Sequence, residues 1–372
     1  MFFEYTMPTR LVAGTGCLVE KGALLAPLGE KCLIVTGAHS ARKNGSLDDA
    51  LQALEANGQK SVVYDKVTSN PTIECALEGA ALARAERCDF VLAIGGGSPM
   101  DAGKAMALLA AHEGGLSPRD VFGASYTRCL PIAAVPTTAG TGSEVTPYAI
   151  LTDNNTENKT NLGSPLIFPR LAFLDGSYML GLGRVTTVNT AIDALSHAVE
   201  GLLTLRASVL TDSMAMRSIA MLMNSMGELE KEEISLETRH ELLVASALAG
   251  MVIANTGTTA VHALGYPFTY YRGVDHGRAN GLILGEFLAF VEKSHPKEIA
   301  AMLAHMGLAS VRAFSDMLNG LLREEITITG QEARHFVQKA IVTKNIGNCL
   351  ARPEAEDLFA VLQNAKLVVI QD

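Results

Sequence analysis

The sequence predicts two unlike domains: an α/β first half built on a buried parallel sheet, and an all-helical second half. Three observations carry that prediction. Short β-branched runs alternate with helical patterns up to about residue 180, as βαβ units require. The strand runs are apolar almost throughout, which is how strands covered by helices on both faces read. Beyond residue 180 the strand signal fades and apolar residues recur at helical spacing.

The elements follow in chain order. Cys32–Thr36, Ser61–Tyr64, Phe90–Ile94 and Pro131–Val135 read as strands, and helical patterns at Leu47–Asn57 and Thr72–Ala85 separate the first three. Residues 148–175 read as a β excursion with turn chemistry at Asp153-Asn154-Asn155. Ala191–Leu205, Ser208–Met226, Thr238–Ala254 and Leu282–Glu292 carry helical periodicity. The boundary is expected near Asp175–Leu182, giving domains of residues 1–180 and 181–372.

Composition narrows the function. The chain has 372 residues, which fits two to three domains, and its 48% hydrophobic and 19% charged content excludes a disordered chain. Aromatics are scarce and Trp is absent, so the core falls to Ala, Leu, Val, Ile and Met. A formal charge of −9 without a basic cluster argues against nucleic acid or a membrane surface as partner. The six cysteines (Cys17, Cys32, Cys75, Cys88, Cys129 and Cys349) form no C-x-x-C pair and read as reduced thiols. With no targeting pattern at Met1-Phe2-Phe3-Glu4-Tyr5, a cytoplasmic protein is expected. Leu242–Tyr271 contains no charged residue, but its continuous apolar part ends at Ala254 and is too short to span a bilayer. It reads as a buried helix, followed closely by polar residues.

Three motifs offer chemistry. Gly95-Gly96-Gly97-Ser98-Pro99-Met100-Asp101-Ala102-Gly103-Lys104 follows a strand and opens a helix. Its glycines expose amide N–H groups at a helix N-terminus, which suits a phosphate. Ser98 and Asp101 stand at capping-box spacing with Pro99 at the first helical position, so a plain capped turn is the competing reading. Pro136-Thr137-Thr138-Ala139-Gly140-Thr141-Gly142-Ser143-Glu144 is a second loop of small hydroxyls and glycines, again after a strand. Two such loops at the carboxyl ends of neighbouring strands mark the edge where open α/β sheets bind ligands. In the helical half, Asp193 and His197 are four apart and share a helix face, with His262 and His276 downstream. One carboxylate and three imidazoles suit a divalent transition metal. A helix cap plus a core histidine is the competing reading, because spacing alone does not show which of the nine histidines converge.

Taken together these stretches resemble the iron-containing (group III) alcohol dehydrogenase family. The likeness runs through Met7-Pro8-Thr9 with Gly14-Thr15-Gly16, Gly95 to Lys104, Pro136 to Glu144, Asp193 to Glu200, His262 to Gly265, His276-Gly277 and Leu350-Ala351-Arg352-Pro353. It implies the dehydroquinate synthase-like fold: an N-terminal dinucleotide-binding α/β domain and an all-α C-terminal domain, with cofactor and metal in the cleft between them. It implies metal ligands Asp193, His197, His262 and His276. It implies cofactor contacts from Gly95, Gly96, Gly97, Ser98 and Asp101, from Thr137, Thr138, Thr141 and Ser143, and from Asn70 and Lys159. The activity implied is metal-dependent, NAD(P)-linked hydride transfer between nicotinamide and a small primary alcohol, diol or aldehyde. The metal implied is Fe(II), with Zn(II) as the competitor that divalent affinity order favours. A homodimer or larger homo-oligomer is also implied.

Two departures from the family pattern matter. Many members carry an Asp at the end of the second strand, where this chain reads Val35-Thr36-Gly37, with Arg42 and Lys43 just beyond. A 2′-phosphate meets no carboxylate there, so NADP is expected to be accepted as well as NAD. Many members also have a His where this chain has Tyr266, four residues after His262. A phenol has a far higher unperturbed pKa, so a proton-relay role for Tyr266 competes with simple packing. Tyr148, Phe268 and Tyr271 are expected near the substrate. A glycerol dehydrogenase-like enzyme and a dehydroquinate synthase-like lyase are the alternatives on the same fold. The lyase needs a cationic pocket, and the helical half shows no Lys/Arg cluster near the proposed ligands. A nucleotide-binding protein without activity is the third alternative, against which the intact ligand set speaks.

Overall fold

A computed structural model describes residues 2–112, 114–323 and 326–369. The chain divides into two compact units. One is Thr6–Leu182 with Ser235–Gly250; the other is the chain start up to Tyr5, Gly183–Ile234, and the chain from Met251 onward.

The first unit is built on a six-stranded, wholly parallel sheet: β1 (Arg10–Ala13), β2 (Lys31–Gly37), β3 (Lys60–Val67), β4 (Phe90–Gly95), β5 (Ile132–Pro136) and β8 (Leu171–Leu174). Their order is β1-β8-β5-β4-β2-β3. Of the β excursion expected over residues 148–175, the strands β6 (Ile150–Asp153) and β7 (Asn158–Asn161) form a separate antiparallel pair around the turn at Asp153-Asn154-Asn155, while β8 belongs to the main sheet. The α-helices α1 (Cys17–Glu20), α2 (Ser40–Lys43), α3 (Ser46–Ala56), α4 (Ile73–Ala85) and α5 (Gly97–Ala110) belong to the same unit, with the first part of α8 (Leu236–Thr256) and, among the described residues, four short 3-10 turns.

The near-continuous apolar strands have a direct cause. Leu33, Val35 and Val91 face a core made with Ala76 and Ala80 of α4 and Met106 of α5. Cys32, Ile34, Leu92 and Ile94 face the opposite one, made with Leu47, Ala50 and Leu54 of α3. Alternate residues thus go to opposite faces, and both faces are covered. The chain steps from β2 to β3 on one side and to β4 on the other. The carboxyl ends of β2 and β4, where Gly37 and Gly95 stand, flank the point where strand order reverses. That is the ligand-binding position of an open α/β sheet.

The second unit is helical: α6 (Arg184–Leu202), α7 (Val209–Leu229), the end of α8, α9 (Ala260–Arg272), α10 (His276–Glu292), α11 (Pro296–Met306), α12 (Val311–Leu322), α13 (Gly330–Ile341), α14 (Lys344–Asn348) and α15 (Ala355–Asn364). A short parallel pair, β9 (Ile328–Thr329) and β10 (Val368–Val369), joins it. Among the described residues no single helix is long and apolar enough to cross a membrane. The uncharged stretch at 242–271 is α8 followed by α9 with a 109° bend between them.

Candidate active site

Three helices of the second unit bring together Asp193 on α6, His262 on α9 and His276 at the start of α10. One ligand atom from each lies within 4.8 Å of the others, the single such group found among the described residues. Asp193 and His262 are buried, and His262 Nε2 stands 3.9 Å from Asp193 Oδ1. His197, one turn after Asp193, is also buried, and its ring stacks on His262 with centroids 4.7 Å apart. Spacing placed Asp193 and His197 on one helix face; the fold adds the two downstream histidines.

Local structure explains the convergence. Asp275 ends the turn before α10 and accepts from Asn189 Nδ2 at 2.7 Å, tying the start of α10 to α6. Gly277 lets the helices meet there. A Cβ at Gly277 would run into the Asn189 carbonyl and stand 2.8 Å from Asp193 Cβ. Only a residue without a side chain permits that approach.

Buried partners complete the cluster. Asn280 Nδ2 donates to Asp193 Oδ1 at 3.0 Å and lies 3.3 Å from Nε2 of both His262 and His276. Glu200, fully buried two turns after Asp193, pairs through Oε2 with His262 Nδ1. Burial acts to raise the Asp193 pKa, but His197, His276 and His262, with the Asn280 hydrogen bond, outweigh it and hold the carboxyl below its ordinary value. The balance at His262 is also decided by its neighbours: burial acts to lower its pKa, and Glu200 and Asp193 carry it upward. Glu200 and Asn280 escaped the sequence reading, although Glu200 lies three residues after His197 on the same helix. Tyr266 stacks on His276 with centroids 5.2 Å apart and planes 6° from parallel.

Phe268 and Tyr271 do not fit their expected place at a substrate. Phe268 is fully buried, edge-on to Phe336, and Tyr271 stacks on the same ring at 5.7 Å. They form the packing between α9 and α13.

In the first unit the two glycine- and threonine-rich loops touch. A Cβ at Gly96 would lie 3.0 Å from Thr138 Oγ1, and one at Gly97 would lie 2.7 Å from Thr141 Cγ2. Thr137 N donates to the Gly95 carbonyl at 2.9 Å. The capping box expected from Ser98 and Asp101 does not form: Gly96 is the N-cap and makes no side-chain cap bond. Both side chains are engaged elsewhere. Ser98 Oγ accepts from Asn70 N at 3.2 Å, and Asn70 Oδ1 accepts from Lys159 Nζ. Asp101 accepts from Ser143 Oγ at 2.6 Å and from Ile150 N at 3.0 Å. The helix start therefore keeps its first amides for another acceptor, as a phosphate site requires.

Lys104 is the pin of this region, and the sequence reading gave it no role. It is 1% exposed, and its Nζ donates to Ser143 Oγ (2.6 Å), the Tyr148 carbonyl (2.8 Å), and the Thr146 carbonyl and hydroxyl (2.9 and 3.2 Å). Burial pushes its pKa down to about 8, against the charges of Asp101 and Glu144. Burial likewise pushes Glu144 up to about 7, and its Oε1 has no hydrogen-bond partner among the described residues. At the end of β2, Gly37 brings no carboxylate, and Arg42 stands 3.9 Å from Asp65 with both side chains exposed.

The chain can be compared with known proteins on this basis. The model for "Iron-containing alcohol dehydrogenase" matches residues 8–176, and that for "Fe-containing alcohol dehydrogenase family, C-terminal" matches residues 187–365. Choline dehydrogenase of Bacillus subtilis is 32% identical over 311 residues, covering 82% of this chain and 77% of the relative. 1,3-Propanediol dehydrogenase of Klebsiella pneumoniae is 32% identical over 307 residues, covering 82% and 79%. The crystal structure of an iron-containing alcohol dehydrogenase from Thermotoga maritima is 36% identical, with a TM-score of 0.91 over 98% of this chain and 99% of that one. This chain belongs to the iron-containing alcohol dehydrogenase family and is an alcohol/aldehyde oxidoreductase.

Proposed function

We propose that this member of the iron-containing alcohol dehydrogenase family is a metal-dependent, NAD(P)-linked alcohol dehydrogenase and aldehyde reductase for a small primary alcohol, diol or aldehyde. The observation that carries the reading is the buried convergence of Asp193, His262 and His276. A carboxylate oxygen with imidazole nitrogens is the donor set of a non-haem iron or zinc site. The ring of His262 is already engaged at Nδ1 by Glu200, which leaves Nε2 toward the cluster. These three, with His197, would hold Fe(II), with Zn(II) as the competing ion. Bound there, the metal supplies Lewis-acid polarisation of the substrate oxygen, and the nicotinamide gives or takes the hydride.

The chain's own residues do the rest. Residues 1–180 act as the nucleotide-binding domain and residues 181–372 as the metal-binding domain. The amides of Gly95, Gly96, Gly97 and Ser98 at the start of α5 bind pyrophosphate. Thr137, Thr138, Thr141 and Ser143 line the second cofactor loop, and Asp101 fixes it through Ser143. Asn70 and Lys159 complete the nucleotide contacts next to Ser98. Tyr266 lies flat on His276 and holds that ring's plane. Gly37, without a carboxylate, admits the 2′-phosphate of NADP, and Arg42 attracts it while sharing its charge with Asp65. A cytoplasmic homodimer or larger homo-oligomer is part of the same reading; six unpaired cysteines support a reducing compartment.

The test is an anaerobic assay on metal-stripped protein. Fe(II) or Zn(II) is added, then butanal with NADH or NADPH, and loss of the reduced nicotinamide signal is followed. Turnover that depends on added metal is expected, and the better pairing decides the metal and the cofactor. Turnover that is the same without metal would overturn the reading.

A further inference from the structure

We propose that Glu200 is the positioning residue that fixes the tautomer of His262 and so sets the affinity of the metal site. Its carboxylate is fully buried on α6 and divides its two oxygens between two tasks. Oε1 accepts from Thr259 N at 2.8 Å and Thr259 Oγ1 at 2.6 Å, and lies 3.4 Å from His262 N. It thereby takes up free amides at the start of α9, a task that helix ends normally give to a residue of their own chain segment. Thr259, the N-cap of α9, makes no side-chain cap bond of its own. Oε2 meets His262 Nδ1.

A carboxylate accepts hydrogen bonds and donates none, so the proton of a neutral His262 ring stays on Nδ1. Nε2 then carries the lone pair, and Nε2 is the atom turned toward Asp193 Oδ1. A metal-ligating histidine needs that arrangement, and a carboxylate behind it also raises its basicity as a ligand. One side chain therefore aims both the helix that carries His262 and the ring itself. Asp193, His197 and Glu200 share one face of α6, so a single helix supplies two of the proposed ligands and the support for a third.

The inference rests on His262 being a ligand, and its test separates the two ideas. Glu200→Gln keeps an oxygen for the donors at Thr259 and places an NH2 donor against Nδ1. The ring proton then moves to Nε2, where it blocks the metal. Zinc dissociation constants, read by competition with a chromophoric chelator, should rise by about 10–100-fold in Glu200→Gln. Thr259→Ala, which removes one donor from Oε1 and leaves Oε2 in place, should lower the melting temperature of the metal-free protein and keep zinc affinity within about threefold of wild type. If Glu200→Gln does not fold, Glu200→Asp carries the same test, because its shorter carboxylate withdraws from the ring; the same rise is expected. Wild-type zinc affinity in the folded Glu200 variant, or an equal loss in Thr259→Ala, would overturn the positioning role. Wild-type affinity in His262→Ala would instead overturn the ligand assignment itself.

Discussion

The proposed metal cluster and the proposed nucleotide loops are built on opposite plans. The cluster is made of side chains from three helices, α6, α9 and α10, each delivering a specific charged or imidazole group. The loops are made of backbone and small hydroxyls, held in place by the pair Lys104 and Asp101 behind them. A side-chain site concentrates its function in a few atoms; a backbone site spreads it over many amides. The first should fail when one side chain is removed, and the second mainly when the loop is displaced.

The largest effect should come from His262→Ala or His276→Ala. Each removes one of three converging ligand atoms, so turnover should fall below detection and bound metal should be lost. Binding of the reduced nicotinamide, followed by fluorescence, should change by no more than a few-fold. Metal retained at wild-type occupancy in either variant would break the contrast and the ligand assignment with it.

Paired glycine substitutions sharpen the comparison. Gly277→Ala drives a methyl into the Asn189 carbonyl and against Asp193 Cβ, backbone and helix core that have little room to give. It should destabilise the protein by about 1–3 kcal/mol, the usual cost of overpacking, and weaken metal binding. Gly97→Ala meets Thr141 Cγ2 at 2.7 Å instead. It should raise the KM for the nicotinamide cofactor about tenfold while metal content stays at the wild-type level. Calorimetric melts, metal analysis and cofactor titrations on both variants check the pair, and the same pattern in both would remove the distinction between the two sites.

Lys104→Met tests the pin without touching a glycine. The substitution keeps much of the volume but leaves Ser143, Thr146 and Tyr148 acceptors buried without their donor. Each unsatisfied group costs about 1–3 kcal/mol where the loop cannot relax. The loop should relax, so the expected result is a cofactor KM raised several-fold more than kcat is lowered. A change in kcat alone would place Lys104 in the reaction rather than behind the loop.

How much of this was legible follows from the same division. The sheet strands could be read because both faces are buried, which makes Phe90–Ile94 apolar at every position. Asp193 and His197 could be placed together because helical spacing fixes neighbours four apart. His262 and His276 stood only as candidates among the nine histidines, and the family resemblance alone singled them out, since nothing local ties α9 and α10 to α6. Glu200 and Asn280 were missed because a buried carboxylate or amide looks ordinary until its partners, far away in sequence, are known. The competing capped-turn reading of Ser98 and Asp101 fails for a related reason. The local cap was outcompeted by Asn70 and Ser143, which arrive from elsewhere in the fold. Phe268 and Tyr271 misled because an aromatic near a ligand histidine reads the same whether it lines a pocket or packs a helix pair.

The smallest expected effect belongs to Glu144, and it reads the loop region through stability rather than activity. Its pKa is carried from 4.5 up to about 7 by burial. Between those values the folded protein holds a proton that the unfolded chain has lost. Stability therefore falls as pH rises through that window, and the penalty is complete above about pH 7. At about 1.4 kcal/mol per pKa unit, it amounts to at most roughly 3.5 kcal/mol, and the attraction of Lys104 to the ionised carboxylate already offsets part of the burial cost. Glu144→Gln cannot ionise and removes the penalty. Urea unfolding should give the variant and the wild type similar stability at pH 5, with the variant ahead by about 1–3 kcal/mol at pH 8. Parallel stability curves across that range would mean that the carboxyl stays ionised beside Lys104. The loop would then rest on an ionised Glu144 paired with Lys104 instead of a neutral acid beside it, and its cofactor affinity would lose any dependence on pH from this source.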